Sequence, residues 1–155
     1  MGRSSLDGAV HHQAVTAPPA VANRNRWLAA LGYGLLAEVC TIITIILVGT
    51  IYRYGIARGL TPEAYDAFGQ KAGGVIGVVG GTLFTYFFAR ILMRKLSGNF
   101  TAHGIVLAIT AIAVSVGGSI AGHQGLPMGY ILASILKLLA GWFAGFQSEK
   151  PAAIT

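Results

Sequence analysis

Charged residues are scarce in this chain. Only 10% of its 155 residues are charged, against about 25% in ordinary soluble domains, whereas 54% are hydrophobic. A soluble domain of this size needs charge to cover its surface, and lipid is the solvent that removes that need. The composition therefore excludes an ordinary soluble protein and predicts an integral membrane protein.

Residues that commonly carry chemistry are also few. The one cysteine, Cys40, lies inside an apolar run and cannot form an intramolecular disulfide. The chain has no P-loop, no dinucleotide-binding fingerprint, no zinc-ligand spacing and no nucleophile elbow. We therefore expect no enzymatic activity, no cofactor and no metal site.

Four long apolar runs account for most of the chain. Each is close to the roughly 20 residues that a helix needs to cross a hydrocarbon core of about 30 Å. A polar N-terminal segment with Pro18-Pro19 precedes them, and a short tail follows. The sequence thus predicts an all-α membrane protein, a four-transmembrane-helix bundle (27–146), between a disordered tail (1–26) and a C-terminal tail (147–155). The predicted helices are Trp27–Tyr52, Ala72–Met93, Ala102–Gly122 and Met128–Phe146.

The first connection, Arg53–Lys71, is long enough to hold a helix of its own. Thr61, Pro62 and Glu63 are typical of a helix start, with an N-cap residue, proline at the first position and an acid in the first turn. Apolar and polar residues then fall on separate faces. This pattern predicts a short amphipathic helix in the membrane interface before the second membrane helix.

Basic residues flank the apolar runs instead of forming one polar face. The partners they favour are membrane lipids, and nucleic acid is not expected. With the N-terminus inside, six Lys and Arg near the helix ends lie on the inner side and three on the outer side. The excess predicts a multi-pass protein of a bacterial-type inner membrane with both termini in the cytoplasm. The inner residues are Arg24, Arg26, Arg90, Arg94, Lys95 and Lys150; the outer ones are Arg53, Arg58 and Lys71.

Glycine recurs at four-residue steps in the second predicted helix, at Gly69, Gly73, Gly77 and Gly81. Residues four apart share one side of a helix, so the pattern predicts a smooth ridge that another backbone can approach closely. We expect Gly77 to lie in a close helix–helix contact, within the bundle or in a homo-oligomer or larger membrane complex. The alternative is a sliding or pore-lining helix.

Two ionisable residues, Glu38 and Lys137, lie deep in the first and fourth apolar runs. A lone charge at mid-membrane costs about 2.5–3.5 kcal/mol on insertion scales, so such residues usually find a partner. Setting them opposite each other on antiparallel helices also sets Gly34 opposite Gly141. Three interpretations compete: an ion pair that fixes helix register, a proton- or substrate-coupling site, and two charges without direct contact.

Ala37-Glu38-Val39 superficially resembles the first helix of small multidrug resistance transporters, four-helix proteins with one essential membrane glutamate. The resemblance covers a few residues, and the long first loop and Lys137 depart from that family's pattern.

The function that the sequence favours is a non-enzymatic accessory or scaffold subunit with glycine-mediated helix packing. The alternative is a small proton- or cation-coupled transporter or channel that uses Glu38.

Overall fold

The computed structural model describes residues 20–121 and 128–149. These residues hold four helical spans that are long and apolar enough to cross a membrane, which confirms the predicted all-α four-helix membrane bundle. The helices are α1 (Ala20–Ile51), α2 (Pro62–Val75), α3 (Gly81–Met93), α4 (Phe100–Ala121) and α5 (Met128–Phe146). A π-helical turn, Tyr52–Ile56, extends α1, and a second one, Ile76–Gly80, joins α2 to α3.

Helix boundaries follow the apolar runs closely at the C-terminal end of the chain and less closely at the start. Helix α5 spans the predicted 128–146, whereas α1 begins at Ala20, inside the segment predicted to be a disordered tail. Ala20 is the first residue that the structure describes, and it is already helical. Predictions for residues 1–19, 122–127 and 150–155 lie outside the described residues.

The amphipathic segment of the first connection is helical and begins at Pro62, as predicted from Thr61-Pro62-Glu63. It is not a separate interfacial helix, because the π-helical turn joins α2 to α3 without a break, and the two form one span, Pro62–Met93. The Phe68 ring of α2 stacks on Tyr52, with ring centroids 3.6 Å apart. The Tyr65 hydroxyl donates a hydrogen bond to the Ala57 carbonyl at 2.7 Å. These contacts fasten α2 to the end of α1.

The four spans form a square in cross-section. Helix α1 packs against α3 and α4, and α5 packs against the same two helices. Helices α1 and α5 therefore lie across a diagonal, so that residues from both point to the centre of the bundle.

The core is built from small residues, while large apolar side chains face outward. Ala30, Ala89, Ala108 and Ala144 are fully buried, whereas Ile46 and Leu83 are about 60% exposed. This distribution suits a lipid solvent, in which close backbone packing, and not burial of large apolar groups, brings helices together.

Candidate functional site

A buried ion pair joins the first and last helices at the centre of the bundle. The Lys137 Nζ of α5 lies 2.6 Å from the Glu38 Oε2 of α1. The two residues are 2% and 5% exposed. The structure thus brings together the two mid-membrane charges that sequence reasoning paired.

Ser115 of α4 closes the pair into a three-residue network. Its hydroxyl donates a short hydrogen bond to Glu38 Oε1 and accepts one from Lys137 Nζ at 2.9 Å. Both carboxylate oxygens therefore have a donor, and the ammonium has two acceptors. A buried charge is tolerated when such hydrogen bonds accompany the Coulombic attraction.

Gly81 at the start of α3 makes room for the lysine. A Cβ atom at this position would lie 2.7 Å from Lys137 Cε and 3.7 Å from Thr41 Oγ1. Any side chain here would push the lysine stem aside, because contacts below 3.0 Å require something to move. All four spans thus contribute: α1 the carboxylate, α3 the space, α4 the hydroxyl and α5 the amine.

The network is enclosed by protein. Two cavities of about 420 and 360 Å³ lie elsewhere on the described residues, and neither is lined by Glu38, Ser115 or Lys137. In this conformation, the three residues can share a proton among themselves, since the serine hydroxyl touches both ionisable groups. They present little surface to a ligand.

The predicted meeting of Gly34 with Gly141 is wrong. That alignment assumed that α1 and α5 are neighbours, whereas α4 packs between them on one side of the square. A Cβ on Gly34 would overlap the Leu107 carbonyl oxygen of α4, and a Cβ on Gly141 would overlap that of Gly104, also on α4. Each glycine does permit a close approach, but to α4.

The predicted glycine ridge is interrupted. Gly81 is packed, but an added Cβ on Gly69 or Gly77 would meet no atom within 4 Å, and one on Gly73 would make only an ordinary contact at 3.9 Å. The close contact predicted for Gly77 is therefore absent from the described chain. The π-helical turn at 76–80, whose hydrogen bonds join residues five apart, lies between Gly81 and the glycines before it, so the four-residue spacing does not keep Gly81 on their side of the helix.

The sequence analysis did not assign Ser115 to the site, and it placed Gly81 only at the end of the glycine ridge. The signal available for Ser115 was its hydroxyl in a run of small residues three or four positions apart, Gly104, Ala108, Ala111, Ser115 and Gly118. The role of Gly81 had no sequence signal, because it depends on where the lysine stem runs.

The described residues contain no group of side chains that could bind a metal ion. Within residues 20–121 and 128–149, no three His, Cys, Asp or Glu side chains lie close enough to share a metal ion.

Comparison with protein-family models, curated proteins and solved structures finds no match.

Proposed function

We propose that the chain is a non-enzymatic scaffold or accessory subunit of a membrane assembly. The observation that carries the proposal is the enclosure of the Glu38–Ser115–Lys137 network. Its charges are satisfied by each other across three helices, which fixes the register of the bundle and leaves no open position for a substrate.

A buried ion pair of this kind is better suited to specifying one arrangement than to adding stability. Glu38 and Lys137 come from the first and last spans, so their pairing holds only when all four spans are assembled around them. A scaffold needs such a defined shape, because its partners recognise a fixed surface.

The partner surface that we propose lies in the other half of the bundle. On the Arg90 side of the ion pair, Gly104 and Gly145 are in tight contact although Gly32 is open. On the other side, an added Cβ would meet nothing within 4 Å at any of Gly77, Gly118 and Gly129. The half of the bundle that holds Gly77, Gly118 and Gly129 therefore has room for another helix, either from a second copy or from another membrane protein.

A second candidate is proton- or cation-coupled transport through Glu38. The observation that favours it is the π-helical turn Ile76–Gly80, which ends directly before Gly81. Single π turns inside α-helices occur frequently at functional sites. A conformational change in this turn would move Gly81 and open the space that the Lys137 side chain occupies.

The two proposals are separated by purification and reconstitution of the full chain. If the chain is a scaffold, it is expected to purify in mild detergent as part of a complex of defined stoichiometry, which native mass spectrometry measures. In vesicles it is expected to leave a pH gradient unchanged. A transporter is instead expected to be active without partners and to carry a flux driven by the pH gradient. Loss of that flux in a folded Glu38→Gln/Lys137→Met variant would establish the transporter.

We also propose that both termini face the cytoplasm of a bacterial-type inner membrane, on the basis of the six-to-three excess of Lys and Arg. A reporter active only in the cytoplasm is expected to work when fused to the C-terminus and to be silent when inserted after residue 57. The reverse pattern, measured as reporter activity in intact cells, would invert the topology.

A further inference from the structure

An apolar groove runs along the membrane-facing side of the seam between α3 and α5. It has a volume of about 420 Å³. Its α3 side is formed by Thr82, Leu83 and Tyr86, and its α5 side includes Leu136, Leu139 and Phe143.

The groove suits a hydrocarbon chain better than a further helix. Helices α3 and α5 already pack together along it. At one end Lys137 Cε fits against Gly81, and beyond the other end the Tyr86 hydroxyl donates to Gln147 Oε1 at 2.9 Å. A helix with its side chains is about 10 Å across, so the slot suits an acyl chain better.

A guanidinium lies past the Tyr86 end of the groove. Thr82, Tyr86 and Arg90 are four residues apart and share one side of α3. Eight residues of helix place Arg90 roughly 12 Å from Thr82 along the axis. This rise is close to the half-thickness of the hydrocarbon core, about 15 Å. Arg90 therefore lies at headgroup depth when Thr82 lies near the midplane.

The Arg90 guanidinium has unused N–H donors and forms no ion pair with a described carboxylate. Its Nη1 donates to Ser148 Oγ at 3.2 Å, which uses one of five N–H groups. Among the described residues, the one ion pair within 4.0 Å is that between Lys137 and Glu38. Glu149, the acid nearest in sequence to Ser148, accepts a hydrogen bond from the Thr101 amide of α4. The end of the groove is thus electropositive.

We propose that this groove binds one anionic phospholipid, with its phosphate on Arg90 and an acyl chain between Tyr86 and Leu136. The apolar slot selects a lipid over a free anion. Both kinds of headgroup offer the guanidinium a phosphate, but a zwitterionic one also carries a quaternary ammonium, whose positive charge the guanidinium repels. Arg90 therefore selects a net negative headgroup over a zwitterionic one.

Native mass spectrometry of the purified full chain tests this site with three probes. These are phosphatidylglycerol, phosphatidylcholine of the same acyl chains, and inorganic phosphate. One phosphatidylglycerol is expected to be retained about tenfold more strongly than phosphatidylcholine, because only phosphatidylcholine brings a second positive charge close to the Arg90 guanidinium. Inorganic phosphate is expected not to displace it.

Two variants locate the site and one matched control removes an equal charge elsewhere. Arg90→Gln should abolish the preference for phosphatidylglycerol, and Leu139→Trp, which fills the groove, should weaken binding of both lipids. Lys95→Gln removes a charge at the same end of the bundle, but Lys95 donates to the Tyr33 hydroxyl on the α1 side, so the preference should persist.

Equal retention of the two lipids, or equal effects of Arg90→Gln and Lys95→Gln, would overturn the proposal. So would displacement by inorganic phosphate, since it would show an anion site without an acyl chain. Leu139→Trp keeps the proposal testable if Arg90→Gln fails to fold. Unchanged phosphatidylglycerol binding in that variant would rule out the groove.

Discussion

Alanine at Gly104 or Gly141 is expected to destabilise the bundle by about 2–3 kcal/mol or more, in the range that overpacking costs a tightly packed core. A methyl group on either glycine would overlap the carbonyl oxygen of the other, so the backbones of α4 and α5 would have to separate. The free energy of unfolding, measured by titration of the purified protein with a denaturing detergent, reports the loss.

Matched controls lie on the same two helices. An added Cβ on Gly118 of α4 or Gly129 of α5 would meet nothing within 4 Å. Alanine at these positions should therefore change the free energy of unfolding by no more than about 0.5 kcal/mol. Gly77→Ala should behave like them in the isolated chain. Equal losses at Gly104 and Gly118 would mean that the close approach of α4 and α5 does not decide stability.

Neutralising one member of the ion pair should also lower the free energy of unfolding strongly. Glu38→Gln leaves an unpaired ammonium in the core, and Lys137→Met leaves an unpaired carboxylate. Each is expected to lose about 3 kcal/mol, as breaking a buried pair does in other proteins. The double variant leaves no orphan charge and should recover at least about 1 kcal/mol of the summed loss. Unfolding titrations of the four proteins give this coupling energy.

Ser115→Ala is the control for the network. It removes hydrogen bonds to both charges but leaves the charges paired, so a smaller loss of about 1–2 kcal/mol is expected. Strictly additive losses for Glu38→Gln and Lys137→Met would contradict energetic coupling between the two residues, whatever their distance.

Lengths of apolar runs and depths of charges were predictable from the sequence, whereas the neighbour relations of the helices were not. Bilayer thickness sets the helix length, so α5 begins at Met128 and ends at Phe146 as its apolar run predicts. Glu38 and Lys137 had to lie near the centre for the same reason. Their depth is equally compatible with adjacent and with diagonal helices, and the short connection before α5 does not decide between them.

The glycine pattern shows a different limit. Four-residue spacing defines one side of a helix only if the helix stays α-helical, and the π-helical turn at 76–80 breaks that condition. The apolar and glycine pattern of Ile76–Gly80 continues that of the residues around it, so the different surroundings of Gly77 and Gly81 were not predictable from spacing. The space that Gly81 leaves for the Lys137 side chain likewise depends on packing between segments that are distant in the sequence.

The separation of 99 residues between Glu38 and Lys137 has a consequence for how the chain is made. At ribosomal rates of about 5–20 residues per second, Glu38 is synthesised roughly 5–20 s before its partner. During that interval Glu38 has no amine to pair with, and an ionised acid is costly in lipid. Ser115 is synthesised before Lys137 and is therefore the earlier of the two partners available to Glu38. A nascent chain that stops short of the fourth span would carry an acid without its base.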